Sequence, residues 1–358
     1  MSAARRKSPV ALERLLRDAE GKVFPAWQAV VSRGGAIVFE GSGGSSCVGT
    51  GAVDETSVFD LASLTKPLAT VSLCMHFHDM GALPLDVAVS DLLRLPVAAG
   101  LAVTARRLLS HASGLPAWRA LHLEVSDRGS ADDRRRAILA AARETAPLHP
   151  AGTRALYSDL NFMLLTALLE TLGGARLDAL FARIVPAAGL FYRPLAAAEA
   201  DRRTSSFVAS EDDVVRGVLA GRVNDENAFA MGGVSGHAGL FGTATAVHAL
   251  VHTLVEAWQG RPSWIRGEIV RAFWTKQTEP RGTTWALGWD TPSATGSSAG
   301  ATPPADAVGH TGFTGGSIWV DPSREVIAVL LTNRTWPDRT NDAIRAFRPR
   351  FHQLAWSL

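Results

Sequence analysis

Short β-prone runs at both ends of the chain enclose a long helical stretch, and this arrangement constrains the fold most strongly. Residues 27–32 and 36–40 form two such runs near the start, joined by a hairpin turn at residues 33–35. Three more lie near the end, at residues 284–289, 317–320 and 326–332. An antiparallel sheet built from both chain ends, with helices inserted between them, satisfies this order. We therefore predict a fold that mixes helices and strands (α/β in the broad sense) and that is of the α+β type.

Apolar residues recur at helical spacing in the stretches that flank and separate these strands. The predicted helices cover residues 12–19, 64–80, 133–143, 161–172, 246–258 and 341–356. The glycine- and serine-rich residues 41–46 are expected to form a loop. We assign residues 1–62 and 281–358 to the sheet with its terminal helices and residues 63–280 to a mostly helical lobe. A functional site is expected between them.

Composition excludes several classes of protein. The chain has 358 residues, of which 47% are apolar and 20% charged. No apolar run approaches the ~18 residues that cross a bilayer, so we expect no membrane partner. Lys and Arg number 36 against 34 Asp and Glu, which leaves a net charge of only +2 without an extended basic stripe, so we expect no nucleic-acid partner. A small-molecule substrate is the expected partner, and the oligomeric state stays unknown.

The cysteines and the N-terminal residues lead to predictions about disulfides, metal sites and cellular location. Cys47 and Cys74 lie in dissimilar contexts without metal-ligand spacing, which indicates neither a disulfide framework nor a zinc site. Residues 11–18 are amphipathic, whereas a signal peptide needs an unbroken apolar stretch. We therefore expect a cytoplasmic location, and we expect neither a metal nor an organic cofactor.

A serine and a lysine three residues apart open the first inserted helix. Ser63 and Lys66 would lie on one face of that helix, and lysine, unlike arginine, can lose its proton. A buried Lys66 would have a lowered pKa and could accept the proton of Ser63. The same spacing also occurs at ordinary surface helix starts with a capping serine.

Two further segments carry chemistry-bearing side chains. Tyr157 precedes a predicted helix, and a lysine nearby would favour its phenolate, so Tyr157 could relay a proton. The alternative is a half-buried packing tyrosine.

Residues 309–316 form a glycine-rich edge in which His310 and Thr311 offer side-chain donors. The Phe313 N–H could complete an oxyanion hole with that of Ser63.

The ordered set Ser63-x-x-Lys66, Tyr157-x-Asp159 and His310-Thr311-Gly312 resembles the serine β-lactamase and penicillin-binding-protein superfamily. The similarity is specifically to its class C-like branch of lactamases, DD-peptidases and esterases. Residues 108–116 and 232–241 also resemble that branch, and the resemblance extends from about residue 27 to the C-terminus. It implies a β-lactamase/transpeptidase-like fold in which Ser63, Lys66 and Tyr157 are catalytic.

Two positions depart from the pattern of that superfamily. Asp159 stands where asparagine is usual, and an ionised aspartate only accepts hydrogen bonds. His310 stands where lysine is usual and would be largely neutral near pH 7. Both changes remove positive potential, so we expect the site to favour esters or amides over anionic β-lactams. A true β-lactamase, a D-amino-acid peptidase and a non-catalytic binding or assembly module on the same fold are the alternatives.

Four further residues are weaker candidates for a role in the site. His237 lies in a glycine-rich loop and is a candidate pocket-lining residue. We interpret His111 as a structural histidine beneath a turn. Asp225 and Glu226 are interpreted as capping or solvated acids, because a hard-cation site needs more oxygen ligands.

Overall fold

The computed structural model describes residues 9–47, 51–93, 98, 103–125, 129–200 and 206–358. The strands are β1 Ala26–Arg33, β2 Ala36–Gly44, β3 Phe59–Asp60, β4 Phe191–Tyr192, β5 Asp212–Asp213, β6 Gly217–Val218, β7 Leu240–Gly242, β8 Val308–Thr311, β9 Ser317–Asp321 and β10 Val326–Thr332. The helices are α1 Pro9–Ala19, α2 Ser72–Asp79, α3 Val89–Leu93, α4 Ala105–Leu109, α5 Leu121–Glu124, α6 Ala131–Glu144, α7 Asp159–Gly173, α8 Leu177–Ile184, α9 Leu195–Ala200, α10 Glu226–Ala230, α11 Ala244–Trp258, α12 Gly267–Trp274 and α13 Ile344–Ala355.

A five-stranded antiparallel sheet joins the two ends of the chain. Its strand order is β2-β1-β10-β9-β8, and in the pairing of β1 with β10, Val30 lies opposite Val329. This sheet, with helices around it, confirms the predicted α+β class and the assembly of the sheet from both termini. Three short strands, β3, β7 and β4, form a second sheet, and β5 pairs with β6.

Both faces of the large sheet are buried at its central strand β10. In β10, Ala328 and Leu330 belong to an apolar cluster with residues of α1 and α13, whereas Ile327 and Val329 belong to the main core. Alternate residues of a strand point to opposite faces, so an unbroken apolar run is what a strand covered on both sides requires. This explains why residues 326–331 are apolar throughout.

The helical stretch packs around α7, whose buried residues occupy much of its surface. The predicted helix over residues 64–80 is present but irregular. It consists of a 3₁₀ turn at Ala62–Leu64, a π-helix at Lys66–Val71 and the α-helix α2. A π-helical segment places its side chains differently from an α-helix, and such segments often occur at functional sites.

Two local expectations were wrong. Residues 284–289 form no strand and contribute only an isolated bridge between Trp285 and Asp290. The loop expected from residue 41 is instead the end of β2, because Ala26 of β1 pairs with Gly44. Gly43 allows this pairing to continue, since a Cβ there would lie 2.7 Å from the Trp27 indole nitrogen. The glycine-rich edge expected at residues 309–316 begins as β8, which is an edge strand of the large sheet.

The division into residues 1–62 with 281–358 and residues 63–280 stays a prediction. No helix among the described residues is both long and apolar enough to cross a membrane.

The buried central strand provides a test of the fold. Leu330→Ala would leave a cavity between β10 and the terminal helices and should lower the free energy of unfolding by about 2–5 kcal/mol. Denaturant unfolding measures this loss. Leu123→Ala makes the same change at a side chain that is 67% exposed and should alter stability by less than ~0.5 kcal/mol. Equal losses in the two variants would contradict this packing.

Candidate active site

Ser63 lies in the tight turn that follows β3, and Asp60 anchors this turn. One carboxylate oxygen of Asp60 accepts the Ala62 N–H at 2.8 Å, and the other accepts the Asn224 N–H at 2.7 Å. Ala62 has a φ of +46°, a left-handed conformation that is strained for a residue with a Cβ. The strained backbone places Ser63 at the wall of two cavities.

The Lys66 side chain is completely buried beside Ser63. Its Nζ lies 3.1 Å from Ser63 Oγ, 3.1 Å from the His237 carbonyl oxygen and 2.7 Å from Asp159 Oδ1. Burial lowers the pKa of Lys66, but the charge of Asp159 and then the Tyr157 phenol outweigh it, and the net shift is upward. The expected lowering of this pKa was therefore wrong, because the partner Asp159 holds Lys66 as an ammonium.

Tyr157 completes the predicted trio. Lys66 Nζ lies 4.8 Å from the centroid of its ring, and the phenol interacts with the side chains of both Lys66 and Ser63. Burial raises the pKa of Tyr157 although Lys66 acts in the opposite direction. The expected phenolate was therefore wrong, and Tyr157 is a protonated phenol at neutral pH. The structure does bring Ser63, Lys66 and Tyr157 into contact.

Two aromatic residues support the Tyr157 ring. The His111 ring lies 4.7 Å away and the Trp285 ring 5.8 Å away, measured between centroids. His111 Nδ1 accepts the Ser158 N–H at 3.1 Å, and burial lowers the pKa of His111 well below its ordinary value. His111 is thus a neutral residue that supports the segment carrying Tyr157. Trp285 was missed because its segment was predicted as a strand.

The edge strand β8 and the turn after it form the opposite wall. His310 is buried, and its Nδ1–H donates to the Thr311 carbonyl at 2.9 Å. Burial, followed by the charge of Lys66, lowers the pKa of His310 to about 3, so this side chain is neutral as expected. Thr311, Gly312 and Phe313 line the same cavity as Ser63.

A buried arginine that the sequence pattern did not single out holds this turn. The Arg348 guanidinium, from α13, donates to the carbonyl oxygens of Gly312 at 2.6 Å, Gly315 at 3.2 Å and Gly316 at 3.0 Å. Burial and neighbouring guanidinium groups lower the pKa of Arg348 to about 9. Arg348 therefore fixes the loop that contains Phe313.

His237 lines the cavity in front of Ser63, as proposed from the sequence. Its Nε2 lies 2.8 Å from Asp225 Oδ1, and its Nδ1 lies 2.8 Å from Ser235 Oγ. Burial acts to raise the pKa of Asp225, but His237 outweighs it and the net shift is downward. Asp225 also caps α10 by accepting the Ala228 N–H at 2.7 Å, which confirms the capping interpretation.

Two cavities meet at Ser63, Tyr157 and Phe313. The first, of about 400 Å³, is lined by the acidic residues Asp159, Asp225 and Glu226, together with His237 and Arg339. The second, of about 410 Å³, is lined by His310, Thr311, Trp285 and Asp290, together with Arg334, Arg345 and Arg348. An acyl group on one side of Ser63 and a leaving group on the other would each have a separate space.

The arginines of the second cavity change the expected charge of the site. From residues 159 and 310 alone we expected little positive potential. The exposed Arg345 and the largely buried Arg334 and Arg348 add positive charge beside the β8 edge. Burial and the repulsion of Arg345 and Arg339 lower the pKa of Arg334, as a cluster of like charges requires. Sequence reasoning missed these residues because they lie outside the three motifs.

Among the residues that the structure describes, no group of three or more histidine, cysteine, aspartate or glutamate side chains is arranged to hold a metal ion.

The geometry describes a serine hydrolase-type enzyme, and comparison with known proteins supplies its family. The chain belongs to the Beta-lactamase family, whose profile matches residues 12–348.

Individual proteins resemble this chain at low identity. A putative D-alanyl-D-alanine carboxypeptidase of Escherichia coli K12 is 26% identical over 351 residues, covering 89% of this chain and 77% of the relative. An N-acetylmuramyl-L-alanine amidase of Bacillus subtilis 168 is 29% identical over 353 residues, covering 87% of this chain and 77% of the relative. The solved structure of EstCE1, a hydrolase with promiscuous acyltransferase activity, superimposes with a TM-score of 0.74 at 18% identity, covering 97% and 98% of the two chains.

The anchoring role of Arg348 is testable by stability. Arg348→Lys cannot serve all three carbonyl oxygens and should lower the free energy of unfolding by about 1–3 kcal/mol, because buried acceptors lose their donor. Arg345→Lys, at an exposed position of the same helix, should stay within ~0.5 kcal/mol of the wild type. Denaturant unfolding compares the two, and an unchanged Arg348→Lys variant would refute the anchoring role.

Proposed function

We propose that this protein hydrolyses carboxylic esters or amides through an acyl-enzyme on Ser63. The contact of Ser63 with Lys66 and Tyr157, at the junction of two cavities, is the observation that carries the proposal. A serine becomes nucleophilic when an adjacent group can take its proton, and these two side chains are adjacent. No metal or organic cofactor enters the proposed reaction.

The proposed reaction proceeds in two stages. Ser63 Oγ bonds to the acyl carbon while its proton passes to the Lys66 and Tyr157 pair, and that proton then goes to the departing alcohol or amine. The Ser63 and Phe313 amides are the proposed donors to the developing oxyanion. Water next attacks the acyl carbon and releases Ser63. Because Asp159 keeps Lys66 charged, Lys66 must lose a proton before it accepts that of Ser63.

Neutral esters and amides are the primary substrate class. Asp159 places a carboxylate where it competes with an anionic acyl group, and the neutral His310 adds no compensating charge on the other side. The structural similarity to EstCE1, a hydrolase with promiscuous acyltransferase activity, is compatible with this class. A cytoplasmic location stays a prediction.

The arginine-lined cavity favours a second candidate, a peptidase or β-lactamase acting on substrates that carry a carboxylate beyond the scissile bond. Arg345 is exposed, and Arg334 lies beside it in the same cavity. Guanidinium groups bind carboxylates through charge-assisted hydrogen bonds. The name of the Escherichia coli relative, a putative D-alanyl-D-alanine carboxypeptidase, agrees with this candidate.

The nucleophile is tested by covalent labelling and turnover. A fluorophosphonate should label Ser63, and a chromogenic short-chain ester should be hydrolysed. The Ser63→Ala variant should show neither labelling nor hydrolysis, because Ser63 is the only proposed nucleophile. Mass spectrometry locates the label, and a chromogenic cephalosporin assayed in parallel tests the β-lactamase alternative. Absence of labelling and turnover in the wild type would favour a binding or assembly module. Equal turnover by Ser63→Ala would exclude Ser63 as nucleophile.

The second candidate is tested with two substrates that differ by one charge. An acyl-thioglycolate and its methyl ester share the acyl group, but only the first carries a carboxylate on the leaving group. Arg345→Met should raise KM for the acid about tenfold and leave the methyl ester unchanged, if Arg345 contributes one charged contact. Equal effects on both substrates, or none, would rule out carboxylate recognition by Arg345.

A further inference from the structure

We propose that Asp159 sets the charge of Lys66 and thereby the pH above which Ser63 becomes reactive. Asp159 is in this sense a positioning residue that acts through Lys66. The proposal rests on the acyl-enzyme function proposed above and deepens it, since it concerns the activation of the same serine. It also gives a specific role to Asp159, one of the two residues at which the chain departs from the superfamily pattern.

The surroundings of the Lys66 amine fit an ammonium ion. An ammonium has three protons to donate and no lone pair, whereas a neutral amine has a lone pair that needs a donor. Nζ faces the His237 carbonyl oxygen, which only accepts, and the Asp159 carboxylate, which is 2.7 Å away. Its other polar neighbours are Ser63 Oγ at 3.1 Å and the Tyr157 phenol. Two of these four partners can only accept, and they require protons on Nζ.

The position of Asp159 suits a negatively charged side chain. Asp159 is the first residue of α7, a helix of 15 residues, and the partial positive charge of a helix start favours an anion. Its backbone N–H donates to the Ala117 carbonyl at 2.9 Å, which fixes the residue at the cavity wall. The side chain is only 16% exposed, so water screens its attraction to Lys66 weakly.

The other titratable groups around Lys66 do not replace Asp159. His310 on β8 and His111 before Tyr157 are neutral, because burial and the Lys66 charge both lower their pKa values. Asp225, which precedes α10, directs its carboxylate to His237 rather than to Nζ. Tyr157 is protonated, and the Phe162 ring, 5.6 Å from Nζ, carries no charge. Asp159 is the carboxylate that contacts the amine.

Asp159 makes the proton on Lys66 harder to remove. Removing it leaves Asp159 as an uncompensated buried anion, which costs free energy that a neutral side chain at position 159 would not impose. The reactive form of the site therefore accumulates at a higher pH than it would with asparagine at this position. The rate at which Ser63 forms a covalent bond should rise with pH across the neutral range.

The rate of fluorophosphonate labelling, measured between pH 6 and 11.5, tests this without any assumption about the natural substrate. The Ser63 oxygen bonds to phosphorus, fluoride leaves, and the serine proton is taken up by the neutral Lys66 amine. Asp159→Asn should move the midpoint of the pH profile down by about one unit or more, giving about tenfold faster labelling on its acidic side. Asp159→Glu keeps the charge and should retain a profile close to that of the wild type.

Controls separate this effect from loss of structure. Glu170→Gln removes a carboxylate from the buried ion pair with Arg135 on the same helix, far along α7 from Ser63, and should leave the midpoint unchanged. Asp159→Ser provides a second uncharged variant should Asp159→Asn not fold. An unmoved or raised midpoint in the folded uncharged variant overturns the proposal. Wild-type protein that shows no labelling at any pH overturns the acyl-enzyme function itself.

Discussion

A buried charge needs compensation from its surroundings, and the burial of Lys66 organises the site around it. Three separate parts of the chain supply that compensation: the turn with Ser63, the loop with the His237 carbonyl and the first turn of α7 with Asp159. Burying the ammonium without these partners would cost several kcal/mol. The tertiary fold and the chemistry of the serine are therefore coupled through one amine.

The large sheet supplies the wall of the site that lies opposite Ser63. Because β1 pairs with β10, the first and last strands form one layer, and α13 packs on its outer face with α1. From that helix Arg348 reaches the turn after β8, so residues distant in the chain define the wall opposite Ser63. Positive charge from the C-terminal segment and negative charge from the helical stretch consequently meet on opposite sides of the same nucleophile.

Sequence reasoning recovered what short-range patterns encode. The apolar run of β10 and the helical spacing in α7 gave correct elements, and Ser63, Lys66 and Tyr157 were found because each stands in a compact motif. The charge of Lys66 was wrong because it depends on a tertiary distance, that to Asp159. The role of Arg348 was missed because a single arginine on a terminal helix has no local signature. Trp285 was misassigned because an aromatic-rich run does not distinguish a strand from a buried loop.

The position of β10 in the sheet also bears on how the protein is made. The central strand of the five is the last to be synthesised, and the helix that carries Arg348 follows it. Until both have been synthesised, β1 has no neighbour on one side and the β8 turn has no anchor. The two walls around Ser63 can therefore come together only after these late segments have been made.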